Sequence, residues 1–213
     1  MDNIIIIGLG PFGSHMAREL KKEDCNVLAI EKNEVRANKA TEFLRDIQIA
    51  DATDEVFIRS IGVSNYDMCV VAIDDDFQAA LEITVLLKDY GAKFILARAD
   101  SEVHKKLLLR NGADKVICAD QEMAERLAFT YAYDNVFDYI RLTPEYGIYE
   151  IETPHSWCGH TLAEAMIRNK YNVSILATKR DDVISPLPPA DYMMNKEDRL
   201  VVLCHEKDMR ALI

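Results

Sequence analysis

The residues of this chain best placed to do chemistry are three glycines and one acid. Gly8-Leu9-Gly10-Pro11-Phe12-Gly13 follows a run of four isoleucines, Ile4 to Ile7, and precedes a helix-like pattern that begins at Ser14. Glycine has no Cβ, so a turn of this composition lets backbone N–H groups and a helix N-terminus approach a pyrophosphate closely. A second apolar run, Val27 to Ile30, ends in Glu31. A carboxylate there can accept hydrogen bonds from both hydroxyls of an adenosine ribose and would repel a 2′-phosphate. That chemistry favours NAD(H) or another adenine nucleotide over NADP(H). The plainer alternative is a tight strand-to-helix turn followed by an ordinary solvated acid. Strand, turn, helix and acid falling in register favour the binding reading.

Other candidate groups carry less. A dehydrogenase needs a proton donor beside its cofactor. Tyr192 and Lys196 have the YxxxK spacing that short-chain dehydrogenases use, but they lie between a proline cluster and a polar turn rather than on a helix, which reads as chance. His155, Cys158 and His160 supply three ligand types at a spacing unlike the usual zinc patterns, so a loop before a helix is the simpler reading. Asp74-Asp75-Asp76 follows a strand; Asp76 can cap the next helix, and Asp74 can lie near a ligand.

The elements that must position these groups alternate regularly. Strands are expected at 4–7, 27–30, 47–50, 68–73, 94–97 and 115–117, and helices at 54–60, 77–90 and 102–110. Strands apolar on both faces and separated by helices imply a parallel sheet covered on both sides. The expected fold is therefore α/β: a Rossmann-like, doubly wound parallel sheet of about six strands, whose ligands bind at the strands' carboxyl ends. A further helix is expected at 121–133. From Ile148 the regularity stops, with strands expected at 149–152, 173–178 and 200–204, a helix at 161–168 capped by Thr161, and a turn at 195–198. This reads as a small α+β domain, giving a division into 1–135 and 136–213.

Composition narrows the function classes. Of the 213 residues, 49% are hydrophobic and 29% charged, as in a globular protein. Net charge is −11, with 36 acids against 25 bases and no long basic block, so nucleic acid is not an expected partner. Cys25, Cys69, Cys118, Cys158 and Cys204 are dispersed without a CxxC pair and read as reduced thiols. No apolar run approaches the roughly 20 residues that span a bilayer, and the chain enters a strand straight after Asp2, so a cytoplasmic location is expected. The aromatic-rich stretch Phe129 to Phe137 reads as a crossover helix whose apolar stripe would be exposed in a monomer, so at least a dimer is expected.

Taken together, these residues resemble the RCK (KTN) family, cytosolic nucleotide-binding regulators of Trk/Ktr-type potassium uptake systems and of ligand-gated potassium channels. The resemblance covers nearly the whole chain. It rests on the glycine turn, Glu31, Ala50-Asp51-Ala52-Thr53, Val71-Ala72-Ile73-Asp74, Ala97-Arg98-Ala99, His104 through Gly112-Ala113-Asp114, Met123-Ala124 and a C-terminal segment of the family's second-lobe type. It implies that a nucleotide lies along residues 8–13 with Glu31 on the ribose. It further implies Asp51 and Ala52 near the adenine, Ile73 and Asp74 beside the ribose and phosphates, and Arg98 near the phosphates. Each of these falls at the carboxyl end of an expected strand, and Arg98 is the one base among them, hence the choice for neutralising phosphate charge.

The resemblance also implies a homodimer or eight-membered ring, peripheral at the inner face of the membrane through a potassium-translocating Trk/Ktr-type subunit. Regulators of the Ktr type that tell ATP from ADP carry an arginine where this chain has Pro11. Proline removes that charge and an N–H, which moves expectation from ATP toward NAD(H), ADP or AMP. Asp120 stands where relatives place a glutamate near a divalent cation, making it the candidate metal ligand. The second lobe resembles lobes that bind cyclic di-AMP at a dimer seam. Arg168 and Pro186 suit such a site, while Asn172 and Ser174 depart from its pattern. A small NAD-dependent oxidoreductase is the alternative function, and a nucleotide sensor serving another system is a third.

Overall fold

Residues Ile4, Ile5, Ile6 and Ile7 are 0–2% exposed and form most of β1 (Asn3–Ile7). Side chains alternate across a strand, so Ile5 and Ile7 enter one core with Ile58, Ile83 and Ile95. Ile4 and Ile6 enter another with Ala17, Ala40 and Leu44. A strand buried on both faces must lie in the middle of a covered sheet. By area removed from water, its four isoleucines contribute on the order of 8 kcal/mol as an upper figure.

The computed structural model describes residues 2–212. Its contacts divide the chain into two units, Met1–Gln121 and Glu122–Ile213. In the first, β1 is followed by α1 (Pro11–Lys22), β2 (Asn26–Glu31), α2 (Glu34–Ala40), β3 (Asp46–Ile49), α3 (Glu55–Ile61), β4 (Met68–Val71), α4 (Phe77–Asp89), β5 (Ile95–Arg98), α5 (Glu102–Arg110) and β6 (Lys115–Ile117). All six strands are parallel, in the order β3-β2-β1-β4-β5-β6. This is the doubly wound sheet expected from the sequence, and its order reverses between β1 and β4, where such folds open a crevice.

Helices α2 to α5 start where a side chain accepts one of their unpaired N–H groups: Asn33, Asp54, Asp76 and Ser101. Helix α1 has no such side-chain cap, and Pro11 occupies its first turn. Among the described residues no side chain caps its first amides, those of Phe12 and Gly13 included.

Helix α6 (Ala119–Ala132) is followed by an antiparallel sheet in the order β10-β9-β11-β8-β7, built from β7 (Val136–Arg141), β8 (Tyr146–Glu152), β9 (Ser174–Arg180), β10 (Val183–Pro186) and β11 (Arg199–His205). Burial alternates along β8 and β11, so one face carries Tyr149, Ile151, Leu200, Val202 and Cys204 into a core with Trp157, Val173 and Met194. Helices α7 (Leu162–Ala165), α8 (Ile167–Tyr171) and α9 (Glu206–Arg210) complete the second unit. The buried carboxylate of Asp198 secures the turn before β11: it accepts from Arg180 Nε at 2.7 Å, the Tyr192 hydroxyl at 2.9 Å and the Asn195 N–H at 2.9 Å.

Three expectations need correction. Phe129 to Phe137 is not one helix: α6 ends at Ala132, and Phe137 lies in β7, whose pairing with β8 supplies the backbone hydrogen bonds. Phe129 is no part of an exposed stripe either, since its ring packs 4.6 Å from Tyr139 and 5.1 Å from Tyr133. The exposed apolar residues of α6 are Met123, Leu127 and Tyr131, spaced by four along one face. The helix expected at 161–168 breaks at Met166, whose φ of 47° ends α7; Thr161 caps α7 as expected, in a reciprocal pair with Glu164.

Candidate functional site

The three glycines of the first turn are required for three different reasons. Gly8 has φ +94°, and a methyl there would lie 2.8 Å from the Ala72 carbonyl oxygen. Gly13 is a packing requirement, because its methyl would lie 2.0 Å from the Gly8 carbonyl oxygen. Gly10 satisfies neither condition. Its φ of −63° and ψ of −175° suit any residue, and a methyl would meet nothing closer than Asp74 Oδ1 at 3.7 Å. What a side chain at Gly10 would fill is the open space beside the uncapped start of α1.

Glu31, at the end of β2, is 4% exposed. Oε2 accepts the Leu9 N–H at 2.6 Å and Oε1 accepts the Asn33 N–H at 2.7 Å. The acid therefore ties the glycine turn to the loop after β2. Each oxygen keeps a lone pair for a further donor.

A cleft opens at the carboxyl ends of β1 to β4. Seven of the expected residues line it together: Gly8, Gly10, Glu31, Asp51, Ala52, Ile73 and Asp74. The Asp51 carboxyl is held below the usual carboxylate range, chiefly because Oδ1 accepts the Thr53 N–H at 2.9 Å and the Thr53 hydroxyl at 2.8 Å. Lys32 and Arg36 also line the cleft, and sequence reasoning passed over both. Their cations stand 3.9 Å from Asp76 and Asp75 respectively. Asp76 caps α4 through the Ala79 N–H at 3.0 Å, as expected, and Asp74 borders the cleft.

The remaining expected residues lie beside the cleft rather than in its lining. The Leu9 side chain is buried, Pro11 opens α1, and the Phe12 ring centroid lies 5.9 Å from the Arg98 guanidinium. Arg98, at the end of β5, has a side chain 11% exposed. Nη1 is bonded to Asp74, and Nη2 lies 2.6 Å from Asp120 at the start of α6. Burial works against the guanidinium charge, but the two carboxylates outweigh it and raise the pKa above the ordinary arginine value. Arg98 is thus already paired with acids at both ends of its fork. Among the described residues no cluster of three or more His, Cys, Asp or Glu is arranged to hold a metal ion.

Two family models match this chain: the TrkA-N domain over residues 4–119 and the TrkA-C domain over residues 148–213. The chain belongs to the TrkA-N/TrkA-C family. It is 33% identical over 198 residues to Ktr system potassium uptake protein C of Bacillus subtilis, covering 93% of this chain and 90% of that one. It is 32% identical over 205 residues to Ktr system potassium uptake protein A of the same organism, covering 96% and 92%. Among solved structures, the GsuK channel superposes with a TM-score of 0.72 at 18% identity, covering 99% of this chain and 38% of that chain; the likeness is one of fold. This chain thus spans less than half of the GsuK chains it matches.

The TrkA-N domain accordingly carries the glycine turn, Glu31 and the cleft, and the TrkA-C domain carries a second cavity. That cavity is lined by residues of α7, α8 and the start of β9, including Arg168 and Ser174, whereas Pro186 lies on β10 outside it. Tyr192 of the YxxxK pair donates its hydroxyl to Asp198 and serves the turn there. No helix of the described residues is long and apolar enough to cross a membrane.

Proposed function

We propose that this chain is a regulatory subunit of a Trk/Ktr-type potassium uptake system. An adenine nucleotide, NAD(H), ADP, AMP or ATP, occupies the cleft, and occupancy rather than turnover is the output. The observation that carries this reading is the convergence of an open glycine turn, an uncapped α1 and a buried acid on one cleft at the sheet's switch point. In the bound state the Phe12 and Gly13 amides meet a diphosphate and Glu31 meets the ribose. Support for the system comes from relatives of matching length, both named as Ktr potassium uptake proteins. The fold is also that of a GsuK channel solved bound to NAD.

The ion path belongs to a separate membrane subunit, and this chain works at its cytoplasmic face. Regulation requires the nucleotide to favour one arrangement of the assembly over another, by a few kcal/mol if it is to dominate the equilibrium. Self-assembly into a homodimer or a homo-octameric ring covers the Met123, Leu127 and Tyr131 stripe. Light scattering is expected to give at least a dimer, and a monomer at micromolar concentration would refute that part.

Two measurements test the function together. Thermal denaturation with NAD, NADH, ATP, ADP, AMP and cyclic di-AMP identifies ligands of the folded state, because such ligands raise the melting temperature by mass action. Potassium uptake is then measured in cells lacking their own system and expressing this chain with its membrane partner. If no nucleotide shifts the melting curve, or if uptake is the same with and without the chain, the reading fails.

A further inference from the structure

The two carboxylate oxygens of Asp74 have different surroundings. Oδ2 is bonded to Arg98, whereas Oδ1 faces the glycine turn, where a methyl on Gly10 would come to 3.7 Å. An anionic oxygen therefore borders the path of any diphosphate lying over Gly10. The neighbouring bases do not cancel it. Arg98 is shared with Asp120, and Lys32 and Arg36 stand opposite Asp76 and Asp75. Acids outnumber bases in the lining: Glu31, Asp51, Asp74 and Asp75 against Lys32 and Arg36. Pro11 brings no N–H, so phosphate charge meets chiefly the neutral amides at the start of α1 and its dipole, equivalent to roughly half a unit charge.

We infer that Asp74, held in place by Arg98 and Asp120, is a specificity-determining residue. It selects an adenosine diphosphate whose second phosphate is esterified, as in a dinucleotide or ADP-ribose, over one that ends in a free phosphate. The inference rests on the nucleotide reading given under Proposed function. A terminal phosphate has a second ionisation near pH 6, so ADP brings about one more negative charge to this point than ADP-ribose does at neutral pH. Two like charges about 5 Å apart disfavour binding roughly fourfold under bulk-water screening, and far more at the effective dielectric of a protein surface. A preference of about tenfold for ADP-ribose is expected.

Isothermal titration of the full chain with ADP and with ADP-ribose, at low and high salt, tests this. The quantity read is the ratio of the two dissociation constants within each protein, so a general loss of binding cancels. Wild type is expected to favour ADP-ribose about tenfold, and less at high salt because the repulsion is screened. In Asp74→Asn the ratio falls to within about twofold. Asp120→Asn, which leaves Asp74 in place and frees one arm of Arg98, moves the ratio in the same direction and carries the test if Asp74→Asn does not fold. If both compounds bind wild type equally, or if the preference persists unchanged in the variants, the charge selection is refuted and the nucleotide reading stands. If neither compound binds wild type, both fall.

Discussion

Replacing Gly10 with alanine separates a residue needed for a ligand from one needed for the fold. The backbone at Gly10 is in an ordinary extended region, and the added methyl makes only van der Waals contact, 3.7 Å from Asp74 Oδ1. The unfolded chain loses freedom, which stabilises the protein by about 0.4–1 kcal/mol. Against this, alanine is poorer than glycine at a helix N-cap by a few tenths of a kcal/mol or more. The two nearly cancel, so the melting temperature of the ligand-free protein should move by no more than about 2 °C.

Binding should respond differently. On the proposed nucleotide reading, the methyl stands where a diphosphate oxygen approaches the Phe12 and Gly13 amides, and a hydrogen bond from an amide to a charged group contributes about 1.5–3 kcal/mol. Losing one such bond weakens NAD or ADP-ribose binding by roughly 12- to 150-fold. Gly13→Ala is the control with the opposite pattern, because its methyl would sit 2.0 Å from a backbone carbonyl oxygen and α1 must shift or the turn must open. Paired melting curves and titration calorimetry decide the matter. Unchanged affinity in Gly10→Ala, or a ligand-free melting temperature lowered as far as in Gly13→Ala, would refute the assignment of Gly10 to a ligand.

Three further outcomes are expected. Glu31→Gln keeps the shape but leaves one acceptor where Leu9 and Asn33 each present an N–H, so a buried donor is orphaned; thermal melts should show about 1–3 kcal/mol of lost stability. The Arg126 fork, in bidentate contact with Asp138, holds that carboxyl below its usual range. A lowered folded pKa gives stability that is present above the unfolded value near 3.9 and lost as pH falls through the folded one. Acid melts below about pH 4 should therefore show a slope that Arg126→Gln flattens, and only slightly, because the pair is partly exposed and screened by solvent. Burial pushes the Cys69 and Cys204 thiols up to about 12, so at pH 8 a thiol reagent should label the half-buried Cys25 and Cys158 well before either of them.

The parallel sheet was legible because its signals are local. Isoleucine runs, capping acids such as Asp54 and Asp76, and glycine stops each act within a few residues of chain. Strand β7 was not legible, because what makes 136–141 a strand is pairing with 146–152. On its own, aromatic spacing from Phe129 to Phe137 fits a helix equally well. The break at Met166 is likewise set by how α7 and α8 pack on the β8–β11 face, a tertiary demand that overrides helical periodicity.

The same distinction governs the cleft. Gly8, Gly10, Gly13 and Glu31 could be named because backbone geometry fixes their spacing, whereas Lys32 and Arg36 join the lining only because α2 starts opposite the acidic loop before α4. Arg98 makes the point most sharply. Residue type and position at the end of β5 mark it as the cation for a phosphate, but its partners Asp74 and Asp120 are 24 and 22 residues away in the chain. A cation already shared between two carboxylates offers an incoming anion little net attraction, since the three side chains together carry a negative charge. The residue type of Arg98 is legible in the sequence; its pairing with Asp74 and Asp120 is a property of the folded chain alone.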